Sequence, residues 1–272
     1  MAPEGKYIYC IIDAQEEKDF GATGIGGRGD RVHSFVFEDI AAVVSDTPVI
    51  KYPISKENTL AHMKVMEMVM KDYTILPVKF GTIASGYKSQ IPEQRIKLEI
   101  LKARHKEIKE LFSLMKNKVE LGLKAVWIDM KFIFEEIVDE NTDIKILKER
   151  ISSGNSGQTY GQRIKLGEMV KKALETKKFK EEEEILKILE GVFYELRRNK
   201  TFGDNMIMNS AFLVDKARTK AFDNLIEKLI STYNNRTRFK YVGPIPPCNF
   251  VELVITLKGD EKERTEESTY GI

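Results

Sequence analysis

Histidine, cysteine and tryptophan are scarce in this chain of 272 residues, which has three, two and one of them. His33, His62 and His105 stand in no H-E-x-x-H arrangement and beside no cysteine pair, so a metal site has little support. No G-x-S-x-G elbow or G-x-x-x-x-G-K-[ST] loop occurs, which leaves nucleophilic and phosphate-cradling chemistry without a sequence basis. Acid pairs such as Asp139-Glu140 are plentiful, but in a chain that is 32% charged they are most simply surface. The chain therefore reads as a non-enzyme, with no catalytic, cofactor-binding or metal-binding residue assigned.

Excess charge is also lacking. Lys and Arg total 44 against 42 acids, a formal net charge of +2. No bulk surplus of cation is available to displace counterions from a nucleic acid backbone. No apolar run approaches the roughly 20 residues needed to span a bilayer, and the opening MAPEGK lacks a basic leader followed by an apolar stretch. Cys10 and Cys248 lie at opposite ends in strand-like runs and read as buried free thiols in a reducing compartment. These features together predict a cytoplasmic protein.

What is present is a mixture of strand-like and helix-like segments. Tyr7–Ile12 reads as a strand. Gly24, Gly26 and Gly29 formally satisfy G-x-G-x-x-G, but strand-like Val32–Phe37 follows, and a dinucleotide fingerprint must lead into a helix. The stretch is read as a flexible loop. Val32–Phe37 and Ile40–Ser45 form two strands about a Glu38-Asp39 turn, and Ser55 caps a helix over Lys56–Lys71. Met63, Met66 and Met70 suit its core stripe, whereas Met68 is the methionine that suits an adaptable partner surface. A second helix is expected over Pro92–Asn117.

Gly122–Asp129 starts a new strand, followed by helices over Lys131–Asp139, Thr142–Ile151, Gln162–Thr176 and Glu181–Arg198. A Gly/Ser/Asn break at Ser152–Tyr160 separates the second from the third. Met206–Val214, Phe239–Val242 and Asn249–Leu257 complete a second sheet with Gly122–Asp129, with an amphipathic helix over Ala217–Tyr233. The fold class is α+β in two domains, 1–118 and 119–258, with 259–272 a disordered charged tail.

The most informative stretch is Thr74–Ser85, TILPVKFGTIAS. Pro77 cannot donate to a ladder, and Gly81 permits a positive φ where the strand ends. Alternation sets Val78 and Phe80 on one face and Lys79 and Gly81 on the other. Lys79 reads either as an incidental strand residue or as a partner contact. His62 either satisfies a core hydrogen bond or orients Lys79; the structural role is favoured. Pro244, Pro246 and Pro247 must leave regular pairing, so Val242–Asn249 reads equally as a rigid connection and as a docking surface.

Leu76-Pro77-Val78-Lys79-Phe80-Gly81-Thr82, preceded by His62, resembles the signature of the GvpF/GvpL family of gas vesicle accessory proteins. Lys6–Ile12 resembles the family's first strand, and Gly243-Pro244-Ile245-Pro246-Pro247-Cys248-Asn249-Phe250-Val251 its C-terminal glycine-proline segment. Ile245 and Cys248 stand where the family often has tryptophan and tyrosine. The resemblance implies an N-terminal ferredoxin-like domain and a C-terminal modified ferredoxin-like α+β domain with extra helices. It also implies a non-enzymatic role in gas vesicle assembly: binding the small hydrophobic shell protein, keeping it soluble and supporting nucleation or wall growth, alongside other accessory proteins.

No cofactor, nucleic acid, membrane or small-molecule substrate is expected, and the location is cytoplasmic and at the gas vesicle. Partner-contact candidates are Met68, Lys79, Ile245, Pro246, Pro247 and Cys248. His62, Leu76, Pro77, Phe80, Gly81, Thr82, Gly243, Pro244 and Phe250 are family-motif positions with structural roles. The second reading is a nucleic-acid-binding regulator built on ferredoxin-like sheets, which needs exposed aromatics flanked by cations.

Overall fold

The computed structural model describes residues 5–48, 51–153 and 160–257. The expected tail at 259–272 lies outside them. By spatial contact the chain divides into two units, Met1–Glu120 with Pro244–Ile272, and Leu121–Gly243.

The first unit is built on β1 (Gly5–Ile12), β2 (Asp19–Ala22), β3 (Arg31–Phe37), β4 (Ile40–Thr47), β5 (Ile75–Pro77) and β6 (Ile83–Ser85). Their order is β2-β3-β4-β1-β5, with β6 also on β1, and the pairings between them are antiparallel. The β3–β4 hairpin closes on the Phe37–Ile40 pair about the expected Glu38-Asp39 turn, with Glu38 at φ 54. β1 is buried along its whole length. Tyr7, Tyr9 and Ile12 share a core with Val65, Met66 and Val69 of helix α1 (Lys56–Val69), which Ser55 caps through a hydrogen bond from Asn58 N–H. Between β2 and β3 the glycine loop is anchored at Ile25, which is fully buried and donates its N–H to the Tyr9 hydroxyl at 2.8 Å.

Two sequence expectations are corrected in this unit, and one strand goes unpredicted. The segment expected to be one helix over Pro92–Asn117 is broken into α2 (Pro92–Arg95), a π-helical stretch Ile96–Lys102, and α3 (His105–Met115). The short strand β2 carries only four residues, too few for a periodicity signal. Asn249–Leu257 forms no continuous strand and belongs to the first unit rather than the second sheet. Its Val251, Leu253, Ile255 and Leu257 are buried in alternation, and Leu253 makes a parallel bridge to Val78. Leu253 N–H donates to Pro77 O at 2.7 Å, and Lys79 N–H to Leu253 O at 3.1 Å. The alternation is real; the sheet it serves lies elsewhere.

The second unit holds β7 (Lys118–Trp127), β8 (Glu195–Arg198), β9 (Met206–Asp215) and β10 (Thr237–Ile245) in the order β10-β7-β9-β8. Helices α4 (Met130–Glu140), α5 (Thr142–Ser153), α6 (Tyr160–Ile188) and α7 (Thr219–Tyr233) supply the rest of its core, around Trp127, Phe212 and Phe222. The two helices expected over Gln162–Thr176 and Glu181–Arg198 are one helix, α6, because no breaker stands between them. The stop comes at Gly191, whose φ of 81 turns the chain, and Glu195–Arg198 then pairs antiparallel with β9.

Candidate functional site

The motif stretch and the first strand meet at His62. On β1, Tyr7 and Tyr9 are two residues apart and face the same side, toward α1. Tyr7 Oη lies 3.0 Å from His62 Nδ1 and accepts the Gly81 N–H at 3.0 Å. His62 also bonds to the Val78 backbone. Since Val78 N–H is already donated to Tyr9 O at 3.0 Å, the group left to meet the imidazole is the Val78 carbonyl. The imidazole therefore donates to Val78 and accepts the Tyr7 hydroxyl proton through Nδ1.

The imidazole stacks on Tyr9 at 5.7 Å and meets Tyr7 and Phe80 edge-on at 5.7 and 5.6 Å. Burial pushes its pKa down to about 4, against the raising effect of the Val78 bond, so it is neutral at pH 7. Tyr9 Oη lies 2.8 Å from Ser45 Oγ, and burial raises its own pKa to about 12. A neutral histidine enclosed by rings and hydrogen-bonded through both nitrogens serves as a pin joining α1, β1 and the motif strand.

Around this pin, Leu76, Pro77 and Val78 are buried and Phe80 and Thr82 half-buried, while Lys79 is exposed. Thr82 donates its hydroxyl to Lys79 O at 2.7 Å, closing the exit turn. Gly81 takes φ 83, yet a Cβ there would meet no atom within 4 Å. Backbone conformation, not space, requires glycine. Met68 is half-buried on α1.

From Pro244 onward the C-terminal proline stretch belongs to the same unit, Gly243 being the last residue of the second. Gly243 and Pro244 are exposed, Ile245, Cys248 and Phe250 half-buried, and Pro246 and Pro247 buried. Cys248 packs against the core that contains Tyr7 and Cys10, and both cysteines are free thiols. Asn249 N–H donates to Glu120 Oε2 at 2.9 Å, and its amide to Oε1; burial raises the Glu120 pKa against these bonds. Pro246 and Pro247 thus face inward, and the exposed residues of this stretch are Gly243, Pro244 and Asn249. The sequence marks Tyr7 and Tyr9 as buried strand aromatics, but their hydroxyl contacts with His62 and Ser45 were missed; the i, i+2 tyrosines on one strand face were the available signal. With Tyr7 and Tyr9 fully buried, the nucleic-acid reading loses the sheet aromatics it would use.

The second unit has a cleft of about 980 Å³, lined in part by Glu140, Asp143, Lys177, Glu181, Tyr233 and Arg236. Arg236 forks onto Glu136 at 2.8 and 2.8 Å and also reaches Glu181, which accepts the Trp127 indole N–H at 2.7 Å. Lys177 bridges Glu136 and Glu140 at 3.0 and 2.7 Å. Arg236, then Lys177, holds the Glu136 carboxyl below its usual range. These charges answer one another in an ion-pair network that joins α4, α6 and Arg236, the residue before β10.

Comparison with known proteins matches residues 5–252 to the family described as gas vesicle synthesis protein GvpL/GvpF. The chain belongs to this family. Relatives include gas vesicle protein F of Streptomyces sp. (strain CB03234), 28% identical and covering 84% of this chain and 91% of that protein. Gas vesicle protein F1 of Halobacterium salinarum is 25% identical, covering 93% and 95%. The crystal structures of GvpF from Anabaena sp. PCC7120 and from Microcystis aeruginosa share the fold. Each has a TM-score of 0.74 at 22% identity and covers 92% of this chain, with 99% and 100% of those chains. As a GvpL/GvpF protein, the chain is a gas vesicle accessory protein with a role in gas vesicle formation. Among the described residues no helix is long and apolar enough to cross a membrane.

Proposed function

We propose that this chain binds the small hydrophobic shell protein before it joins the vesicle wall, keeps it soluble, and supports nucleation or wall growth together with other accessory proteins. A shell subunit with a large apolar face aggregates unless that face is covered during delivery, and a water-soluble partner meets that need. The observation that carries this reading is the family match over residues 5–252. The work is done in the cytoplasm and at the growing vesicle, by a binding protein rather than an enzyme. The ferredoxin-like plan of both domains belongs to the same proposal and is supported by the two sheet-and-helix units.

Burial narrows the candidate contacts in this proposal. The side of β5 facing Leu253 is already filled by the chain's own C-terminal segment, so strand addition there is not the mode. Lys79, Met68 and the Ile245–Cys248 turn are the candidate contacts; Lys79 is exposed, Met68, Ile245 and Cys248 are half-buried, and Pro246 and Pro247 are buried. Co-expression with the shell protein at physiological salt is expected to hold shell protein in the soluble fraction as a complex. Lys79→Glu is expected to weaken capture about tenfold, equivalent to about 1.4 kcal/mol, with an unchanged circular dichroism spectrum. Unchanged capture removes Lys79 from the interface. No soluble complex, with both proteins folded, sinks direct binding altogether.

A further inference from the structure

We propose that Glu38, Asp39 and His105 form a binding site for a single divalent cation of the zinc class. The three come from two elements that the fold brings together: the tight turn joining β3 to β4, and the first residue of α3. His105 Nε2 lies 2.8 Å from Asp39 Oδ1 and 3.5 Å from Glu38 Oε2, and one ligand atom from each residue falls within 4.8 Å of the other two. At bond lengths of about 2.1 Å, neighbouring ligands in a tetrahedral zinc shell stand about 3.4 Å apart, so small side-chain adjustments complete the shell. One imidazole nitrogen with two carboxylates favours zinc-class ions over calcium or magnesium, which take all-oxygen shells.

The surroundings already have the form of an outer shell. Asp39 presents Oδ1 to His105, while its other oxygen, Oδ2, is held by Lys109 at 2.7 Å; Lys109 also reaches Asp13 at 3.2 Å. The lysine thus orients the carboxylate from behind without occupying the oxygen that faces the site. Phe37 meets the His105 ring edge-on at 6.1 Å. Glu38, at φ 54, sits in a left-handed turn position that fixes where its side chain departs. Three protein ligands leave one coordination position for water or for a donor from a partner.

The alternative account of the same contacts is a plain ion-pair network of His105, Asp39, Glu38 and Lys109, and the experiment separates the two. The full chain, freed of any purification tag and stripped with a chelator, is titrated with Zn²⁺ by calorimetry and with Co²⁺ by visible absorption. The expected result is one equivalent per chain and a Co²⁺ band in the range of tetrahedral sites. His105→Gln and Asp39→Asn should each weaken binding by at least about tenfold, and Lys109→Gln by about tenfold through the carboxylate it orients. Absence of saturable binding overturns the site. Equal binding in wild type, His105→Gln and Asp39→Asn also overturns it, because the ion then sits elsewhere. Should His105→Gln fail to fold, Asp39→Asn decides between the two accounts from the other element.

Discussion

His62 is buried and uncharged at neutral pH, which gives the first unit a defined response to acid. Its pKa falls from an ordinary 6.5 to about 4 on folding, so the unfolded chain binds the proton more readily than the native one. The stabilisation is fully present above pH 6.5 and is lost as pH falls toward 4. At about 1.4 kcal/mol per pKa unit the loss amounts to roughly 3 kcal/mol. Urea denaturation of wild type and His62→Gln across pH 7 to 4 is expected to give a steeper loss for wild type. Parallel profiles would show that the imidazole is not the titrating group. At this scale the sequence was partly readable. The positive φ of Gly81 follows from residue type, whereas the strand alternation expected along Val78-Lys79-Phe80 does not hold, because β5 ends at Pro77 and Phe80 lies in the exit turn. The hydroxyl contacts of Tyr7 with His62 and Tyr9 with Ser45 join residues far apart in the chain, and no local pattern encodes them.

Whole elements were legible where a local rule decided them and obscure where a distant partner did. The β3–β4 hairpin and the Ser55 cap depend on adjacent residues. Glu195–Arg198 continues the helical spacing of Ile185, Leu189 and Val192, but Gly191 turns the chain and pairing with β9 makes it a strand. The same holds for Val251–Leu257, whose alternation is plain but whose neighbour, Val78, cannot be read from it. Burial of Leu253 at 1% exposure beside Val254 at 52% supplies a direct test. Leu253→Ala is expected to lower unfolding free energy by about 2 to 5 kcal/mol. Val254→Ala should stay within about 0.5 kcal/mol of wild type. Similar effects of the two in urea titrations would contradict the buried packing described for this segment.

At the scale of the whole chain, the second unit is a continuous stretch between two parts of the first. It begins on β7 and ends on β10, which are neighbours in its sheet, and Gly122 leaves room for Val242 across that pair. A stretch that starts and finishes on adjacent strands and carries its own core should fold when cut out. The fragment Lys118–Ile245 is expected to give a cooperative thermal transition by circular dichroism and dispersed amide resonances. A non-cooperative melt would show that its core depends on the remainder. The Leu253–Val78 bridge has a further consequence for how the protein is born. At about 5–20 residues per second, a ribosome releases Val78 roughly ten to thirty seconds before Leu253. Through that interval the outer flank of β5 has no covering from its own chain, while the inserted unit emerges and is complete before Leu253 appears. The second unit is therefore finished first, and the amino-terminal sheet, although begun earliest, is the last part of the molecule to be completed.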